Sequence, residues 1–477
     1  MIADLKPYAA MKDSCLPWAG AIPEHWGLVP NRAMLRRRKV LVGERHSDYD
    51  LLSLTKAGVI VRDVSFARGK FSADMGTSQE VRAGDLVFCL FDVPETPRTV
   101  GLSDHDGMIT GAYTIFECGD AQLARYLEAF YIAMDDRKLL SPLYSGLRHT
   151  IPPSTFLGTR TPVPPASEQA AIVRFLDHVD RRIRRYIRAK QKLIRLLEEQ
   201  KQAIIHRAVT RGLGPCVRLK STGVDWLEDV PDHWERRRLK TVLRPVDDRS
   251  RSGEEPLLAL RRNVGIVLFS EHFARPPQAA SLIGYKLVRP GQIVVNRLQA
   301  NNGLIFHSKV TGLTSPDYSV FDVAQEVEPE YLARLLRSSS YGAHFRRSAR
   351  GLGTGTAGFL RLYDEDLLDV AVWLPPFEEQ VKAVQASDEQ LEVTESALAS
   401  TRRSLAIAQE LRSRLVGDVV TGKLDVREAA AGLPEMEGEE QELEPGVDGR
   451  EAEGEGEESE YGEGEDEGLM EVAEGGV

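Results

Sequence analysis

The sequence predicts a mixed α/β (α+β) protein built as an internal duplication. Two similar domains of short strands and helices are each followed by one long helix, and the two helices pair as an antiparallel coiled coil with pseudo-two-fold symmetry. Three observations predict this: a tryptophan motif that occurs twice, a series of further matches in the same order, and two long stretches with no Pro or Gly until Gly212 in the first copy and until Gly417 and Gly422 in the second.

The first domain opens the comparison. Residues 12–26, KDSCLPWAGAIPEHW, align without gaps on residues 220–234, KSTGVDWLEDVPDHW, at an offset of 208. The alignment matches Lys12/Lys220, Trp18/Trp226, Pro23/Pro231, His25/His233 and Trp26/Trp234 in a chain with only five tryptophans. Self-similarity at a fixed offset is the signature of repeat architecture. VRAGDLVF (81–88) pairs with VRPGQIVV (288–295), each a Gly turn leading into a β-branched strand. GMITGAYTIF (107–116) pairs with GLTSPDYSVF (312–321), and Tyr126-Leu127 pairs with Tyr331-Leu332 at the start of a short helical segment. PPASEQ (164–169) pairs with PPFEEQ (375–380), and VTRGL (209–213) with VTGKL (420–424), both at an offset of 211. The predicted domains are therefore 12–163 and 220–374, with long helices in 164–213 and 375–428.

Each long helix starts where Pro-Pro stops any upstream helix. Glu168, or Glu378 and Glu379, then puts acid in the first turn, where the helix dipole favours it. Gly212 and Gly422 are the natural stops. A run of about 45 residues at 1.5 Å per residue reaches roughly 65 Å. In one shared heptad register, Val173, Asp180, Ile187 and Ile194 correspond to Val384, Leu391, Leu398 and Leu405. The other seam position holds Leu176, Ile183, Lys190, Leu197 and Ile204 in the first helix, and Ser387, Thr394, Thr401, Ala408 and Leu415 in the second. The first helix is bulky where the second is mostly small, which favours pairing within one chain. The competing arrangement is two independent amphipathic helices on separate domains.

Composition separates a body from a tail. From Glu435 onward there are 19 acidic residues and one basic residue, Arg450, which leaves 60 basic and 53 acidic residues in 1–434. The overall charge of -11 thus averages a body of +7 and a tail of -18. A mildly basic body suits nucleic acid. The tail, residues 431–477, has too few apolar residues to fold and is expected to be disordered. It serves solubility or weakens nonspecific DNA contact by occupying basic surface. No apolar run approaches the ~20 residues of a membrane span, and the N-terminus lacks a secretory layout. Cys15, Cys89, Cys118 and Cys216 form no CxxC pair and read as reduced thiols of a cytoplasmic protein.

These motifs together carry a resemblance. The W…(I/V)P(E/D)HW opening, the GD(L/I)V-type strand and the PPxxEQ helix start, all occurring twice over residues 12–428, resemble the specificity subunits of type I restriction–modification systems. The resemblance implies that each domain is a target-recognition domain reading one half of a split, asymmetric double-stranded DNA site. The helix pair would act as a spacer between the half-sites. It further implies two adenine methyltransferase subunits and two motor/endonuclease subunits as partners, with AdoMet, and ATP/Mg for restriction, bound on those subunits. This chain would bind no cofactor and carry no catalytic site. The residues agree with that division: there is no GxxxxGK[ST] loop, no (N/D)PP(Y/F) motif and no His/Cys cluster of metal spacing. GLGTGT (351–356) reads as a flexible loop without a clear preceding strand, and Asp364, Glu365 and Asp366 as a helix start.

Candidate DNA contacts come from side-chain chemistry. NRLQANNG (296–303) supplies Asn296, Arg297, Gln299, Asn301 and Asn302, the amide and guanidinium types that distinguish A and G in the major groove. The competing reading is a polar turn with Asn in positive φ. The corresponding CLFDVPETPR (89–98) is chemically different, as two heads reading different bases require. Arg98, Arg148 and His149 are the candidates in the first head, and Arg346, Arg347, Arg350 and Arg361 join the second, with surface ion pairing as the alternative for each. Trp18, Trp26, Trp226 and Trp234 read as packing anchors. Arg174, Arg181, Arg182, Arg184, Arg185, Arg188, Lys190, Lys192 and Arg195 make the first long helix basic; they meet phosphates or form a solvated flank. The packing set of the helices is Leu176, Ile183, Ile187, Ile194, Leu197, Ile204, Leu391, Leu398, Leu405 and Leu415. A protein-binding coiled-coil scaffold is the alternative function.

Overall fold

The computed structural model describes residues 5–62, 75–212, 214, 217–262, 264–274, 276–277, 279–352 and 359–434. The acidic tail from residue 435, Cys216 and most of the GLGTGT loop lie outside them. Among the described residues the chain divides into two compact units, one from 5–191 with 403–434, the other from Lys192–Arg402.

In the first unit, strands β1 (Leu35–Arg38), β2 (Leu86–Phe88), β3 (Val100–Leu102) and β4 (Thr114–Cys118) form an antiparallel sheet in the order β1-β4-β2-β3. The two segments that recur in the sequence lie side by side in this sheet, Phe116 opposite Leu86 and Ile115 opposite Val87. Strand alternation sends Leu86, Phe88 and Phe116 to one face, where they join Phe130, Tyr131 and Phe156 in the main core. Val87 and Ile115 go to the other face, against Leu52, Val59 and Val81. Helix α1 (Ala121–Asp136) begins at Asp120, whose carboxylate accepts from the backbone N–H groups of Gln122 and Leu123. Tyr126 therefore sits mid-helix, not at a helix start as the sequence suggested, because the Asp120 cap sets the start five residues earlier.

A long helix, α2, spans Ala166–Thr210. Its first part belongs to this unit, burying Ile172, Val173, Phe175, Leu176 and Val179 in the core. The same core takes Leu415, Val419 and Val420 from a second long helix, and Val426, Ala430 and Leu433 beyond it.

In the second unit, β5 (Leu243–Val246), β6 (Ile293–Asn296), β7 (Ile305–His307) and β8 (Tyr318–Val323) form a sheet in the order β5-β8-β6-β7. That is the strand order of the first sheet, with Phe321 opposite Ile293 where the first has Phe116 opposite Leu86. Helices α3 (Pro329–Leu336) and α4 (Ser339–Ser348) follow. The strand pair Glu235–Arg238 with Ala371–Leu374 corresponds to Gly27–Pro30 with Arg160–Val163 in the first unit. The second long helix, α5, spans Phe377–Val420.

Both long helices start directly after Pro-Pro and end two residues before a glycine in left-handed geometry, Gly212 at φ 70° and Gly422 at φ 72°. Within the first unit Asp180 accepts from Arg412 at 2.5 Å. Within the second, Lys201 pairs with Glu395 at 2.6 Å and Arg402 with Glu198 at 2.7 Å, so numbers rise on one helix as they fall on the other. The small seam residues Ser387, Thr394 and Thr401 are buried at 2, 5 and 6% exposure, as are Leu391, Leu398 and Leu415. Ile183, Ile187, Ile194, Leu197, Ile204 and Leu405 are half-buried. Among the described residues no helix is long and apolar enough to cross a membrane.

Candidate nucleic-acid interface and helix anchors

The NRLQANNG segment leaves the end of β6 as a turn held by its own side chains. Asn296 is buried, and its Oδ1 accepts from the Leu298 backbone N–H at 3.0 Å. Asn302 donates to Gln299 Oε1 at 2.6 Å, and Asn301 donates to Asn302 Oδ1 at 3.3 Å. The residue in positive φ is Gly303, at 81°, and none of the asparagines; the glycine relieves them of the strain expected of Asn from the sequence.

Two other candidates converge on this turn. Arg297 donates to the Asp317 backbone carbonyl at 2.5 Å and to its Oδ1 at 3.3 Å, and Arg361 donates to the same Oδ1 at 2.7 Å. Burial first, and the Arg361 charge second, pull the Arg297 guanidinium below its usual pKa. Two guanidinium groups share the Asp317 carboxylate, and the Asp364 carboxylate also offsets the charge of Arg297. Arg346, exposed on α4, reaches Asn302 Oδ1 at 3.5 Å, and Arg347 beside it is also exposed. Arg350 lies opposite Arg361 in an antiparallel pair, Arg350–Leu352 with Phe359–Arg361, and holds Asp366 at 2.8 Å. The first two residues of the GLGTGT segment, Gly351 and Leu352, belong to the first arm of this pair, and residues 353–358 lie outside the described residues. Asp364–Leu368 is a helix, as its acidic start suggested.

In the first unit the three candidates separate. Arg148 and His149 share an exposed turn closed by the Ser145–Thr150 bridge, with Leu147 at its tip fully exposed. Arg148 clasps Asp92 at 2.6 and 3.3 Å, which lowers the Asp92 pKa, and His149 sits in positive φ at 43°. Arg98 is turned away, its side chain mostly covered and paired with Asp136 at 3.1 Å. A cation-lined depression of about 440 Å³, bounded by Arg236, Arg237, Arg238 and Thr241, was not singled out from the sequence.

Sequence reasoning also missed what the repeated His-Trp pair does. Trp26 Nε1 donates to Glu168 Oε2 at 3.0 Å, Tyr8 OH donates to the same oxygen at 3.0 Å, and His25 Nε2 lies 2.7 Å from Oε1. In the second unit Trp234 Nε1 donates to Glu379 Oε1 at 3.2 Å and His233 Nε2 lies 2.7 Å from Oε2. The motif therefore grips the first-turn glutamate of the following long helix. The lysine of each motif ties it off, Lys12 on the Trp26 carbonyl and Lys220 on the Trp234 carbonyl, each at 2.6 Å. The paired tyrosines reach the far end of the other long helix: Tyr126 OH lies between the Pro162 carbonyl at 2.8 Å and the Val420 carbonyl at 3.1 Å, and Tyr331 OH donates to the Val209 carbonyl at 3.1 Å. Each unit thus holds the start of one long helix and the end of the other. The signal was present in the sequence, since His-Trp, Glu and Tyr all recur together.

Trp26 and Trp234 are 1% exposed and are packing anchors, as expected. Trp226 stacks on His344 at 4.2 Å. Among the described residues no three His, Cys, Asp or Glu side chains converge as a metal site.

No protein-family model matches the sequence, and no curated protein matches it. Solved structures do. A chain from a study of complex assembly and conformational transition of the type I R-M system superposes with a TM-score of 0.59 at 15% identity, over 84% of this chain and 99% of that one. The HsdS subunit from Thermoanaerobacter tengcongensis gives 0.43 at 16%, covering 84% and 98%. The type I restriction-modification S subunit from M. genitalium gives 0.34 at 11%, covering 87% and 98%. The first of these establishes the fold: this chain has the architecture of a type I R-M system chain along nearly that chain's whole length.

Proposed function

We propose that this chain is the DNA-specificity subunit of a type I restriction–modification system. Two target-recognition domains, related by a pseudo-two-fold repeat, read the two halves of a split double-stranded site. The long helices pair as an antiparallel coiled coil that spaces them. Two adenine methyltransferase subunits, which bind AdoMet, and two motor/endonuclease subunits, which bind ATP and Mg, assemble on it; the chain itself is non-catalytic. The observation that carries this reading is the duplicated grip. Two units of one strand order each clasp the start of one long helix and the end of the other, in a fold similar to a type I R-M chain. Two unlike heads in one chain suit two unlike half-sites.

In the second head the cluster of Arg297, Gln299, Asn301, Asn302, Arg346 and Arg361 offers the amide and guanidinium chemistry for major-groove reading. In the first head the Arg148–His149 turn is the exposed counterpart. The test is genome-wide mapping of methylated adenine with and without the gene. Loss of one motif, two short half-sites separated by a fixed gap, supports the reading. An unchanged pattern with the partner methyltransferase expressed refutes it and favours the scaffold reading.

A further inference from the structure

The acidic tail leaves the body at a defined place. Arg174 on α2 donates to the Leu433 carbonyl at 2.5 Å and to the Pro434 carbonyl at 3.3 Å, and Leu433 is buried in the core of the first unit. The next residue, Glu435, begins the segment with 19 acids and one arginine. Counting from Arg174 along α2, His178, Arg181, Arg185 and Arg188 fall at helical spacings on one stripe, with Arg182 beside it. Arg181, Arg182, Arg185 and Arg188 are all exposed. Partial burial, then Arg182 and Arg181, push the His178 imidazole pKa down, as a positive local field does. Arg188 lies only ~21 Å along the helix from Arg174, whereas a segment as long as 435–477 spans up to ~150 Å when extended.

We infer that the acidic tail is the resident occupant of this basic stripe, an internal polyanion that competes with an external one for the same helix face. Three facts support it: the sign and density of the two charges, the tail's root at the first position of the stripe, and a tether that keeps the local tail concentration near ~1 mM. The contact stands independently of the DNA-specificity reading; the competition rests on it.

The test compares the full-length chain with a full-length variant in which every glutamate from Glu435 onward is glutamine. Phenylglyoxal modification at Arg182 and Arg188 is followed by mass spectrometry, with exposed Arg347 in the other unit as the internal control. At about 50 mM salt both arginines are expected to react at least ~5-fold more slowly in the parent than in the variant, and the difference closes near ~500 mM as screening shortens to a few ångströms. Equal rates at about 50 mM would overturn the proposal. So would protection that fades on dilution, which assigns the tail to a second copy. A random-sequence duplex is then titrated under the same conditions, and the variant is expected to bind ~10-fold more tightly. Protection with equal duplex affinity overturns the competition. If neither chain binds any duplex, the DNA reading fails while the arginine rates still decide the contact.

Discussion

Replacing Glu168 by alanine should loosen the first unit more than the matching Glu379→Ala loosens the second. The Glu168 side chain is 7% exposed and accepts from Trp26 Nε1 and Tyr8 OH, both buried, as well as meeting His25 and, at 3.4 Å, the half-exposed Arg427 guanidinium. Removing it strands two buried donors at ~1–3 kcal/mol each, while His25, partly in water, loses little; the expected loss is ~2–6 kcal/mol. Glu379 is 27% exposed and serves one indole donor, at 3.2 Å, besides the exposed His233, so its loss is ~1–3 kcal/mol. Hydrogen exchange of the first two turns of each long helix separates the sites, because ~3 kcal/mol of lost protection is a ~100-fold faster exchange. Urea unfolding gives the global value. Glu168→Gln keeps one acceptor oxygen for two donors and should fall between parent and alanine. Equal exchange at 166–173 and 377–384 in the two variants, or a change under ~0.5 kcal/mol in both, would refute the argument.

Gly422→Ala should cost ~2–4 kcal/mol, since its Cβ would lie 2.2 Å from Pro23 Cδ at φ +72°, whereas Gly212→Ala, with Glu379 Oε1 at 3.1 Å as nearest atom, should cost ~1–2; comparable melting shifts would contradict this. Although burial opposes its charge, His307 and Arg334 hold the Glu330 carboxylate down at about 2. A depressed carboxylate stabilises fully above its unfolded pKa of about 4.5 and loses that contribution as pH falls toward 2, ~3 kcal/mol in all. Glu330→Gln should therefore flatten the fall in urea stability between about pH 5 and 2.5, and an unchanged slope would remove the basis for this. On the helix pair, Leu398→Ala should cost ~2–4 kcal/mol and Glu198→Ala under ~0.5, the latter because its bridge to Arg402 is about half exposed on both sides; reversed magnitudes by urea titration would mean that charge, and not apolar burial, holds the helices.

The long helices were legible because their signals are local. Pro164–Pro165 and Pro375–Pro376 keep an upstream helix from running on, Gly212 and Gly422 accept the left-handed stop, and the one Pro or Gly inside either run is Gly417, which the second helix passes through. The small seam of Ser387, Thr394 and Thr401 was legible as a seven-residue period. The duplication itself aligns the corresponding strand segments. The recurrence of His-Trp with Glu168 and Glu379 was legible but their pairing was not: Tyr8 and Trp26 lie 160 and 142 residues from Glu168, and the dipole already gave a sufficient local reason for acid in the first turn. The same holds for Tyr126, whose hydroxyl meets the carbonyls of Pro162 and Val420, 36 and 294 residues distant. In the candidate interface, sequence chemistry named Arg297 and Arg361, but only the fold brings both onto Asp317. Residue type alone points to Arg98, and the fold pairs it with Asp136.

That the core of the first unit includes Leu415, Val419, Val420, Val426 and Ala430 has a consequence for biosynthesis. The second unit is formed by the continuous stretch Lys192–Arg402 among the described residues, so it can close as soon as that stretch clears the ribosome. The first unit waits for residues beyond Arg403 even though its N-terminal part emerges first. At ~5–20 residues per second this is an interval of ~10–40 s. During it, Ile172, Phe175 and Val179 lack the helix that will cover them. Order of synthesis and order of completion are thus inverted, and a nascent chain halted near residue 402 should resist protease in its second half before its first.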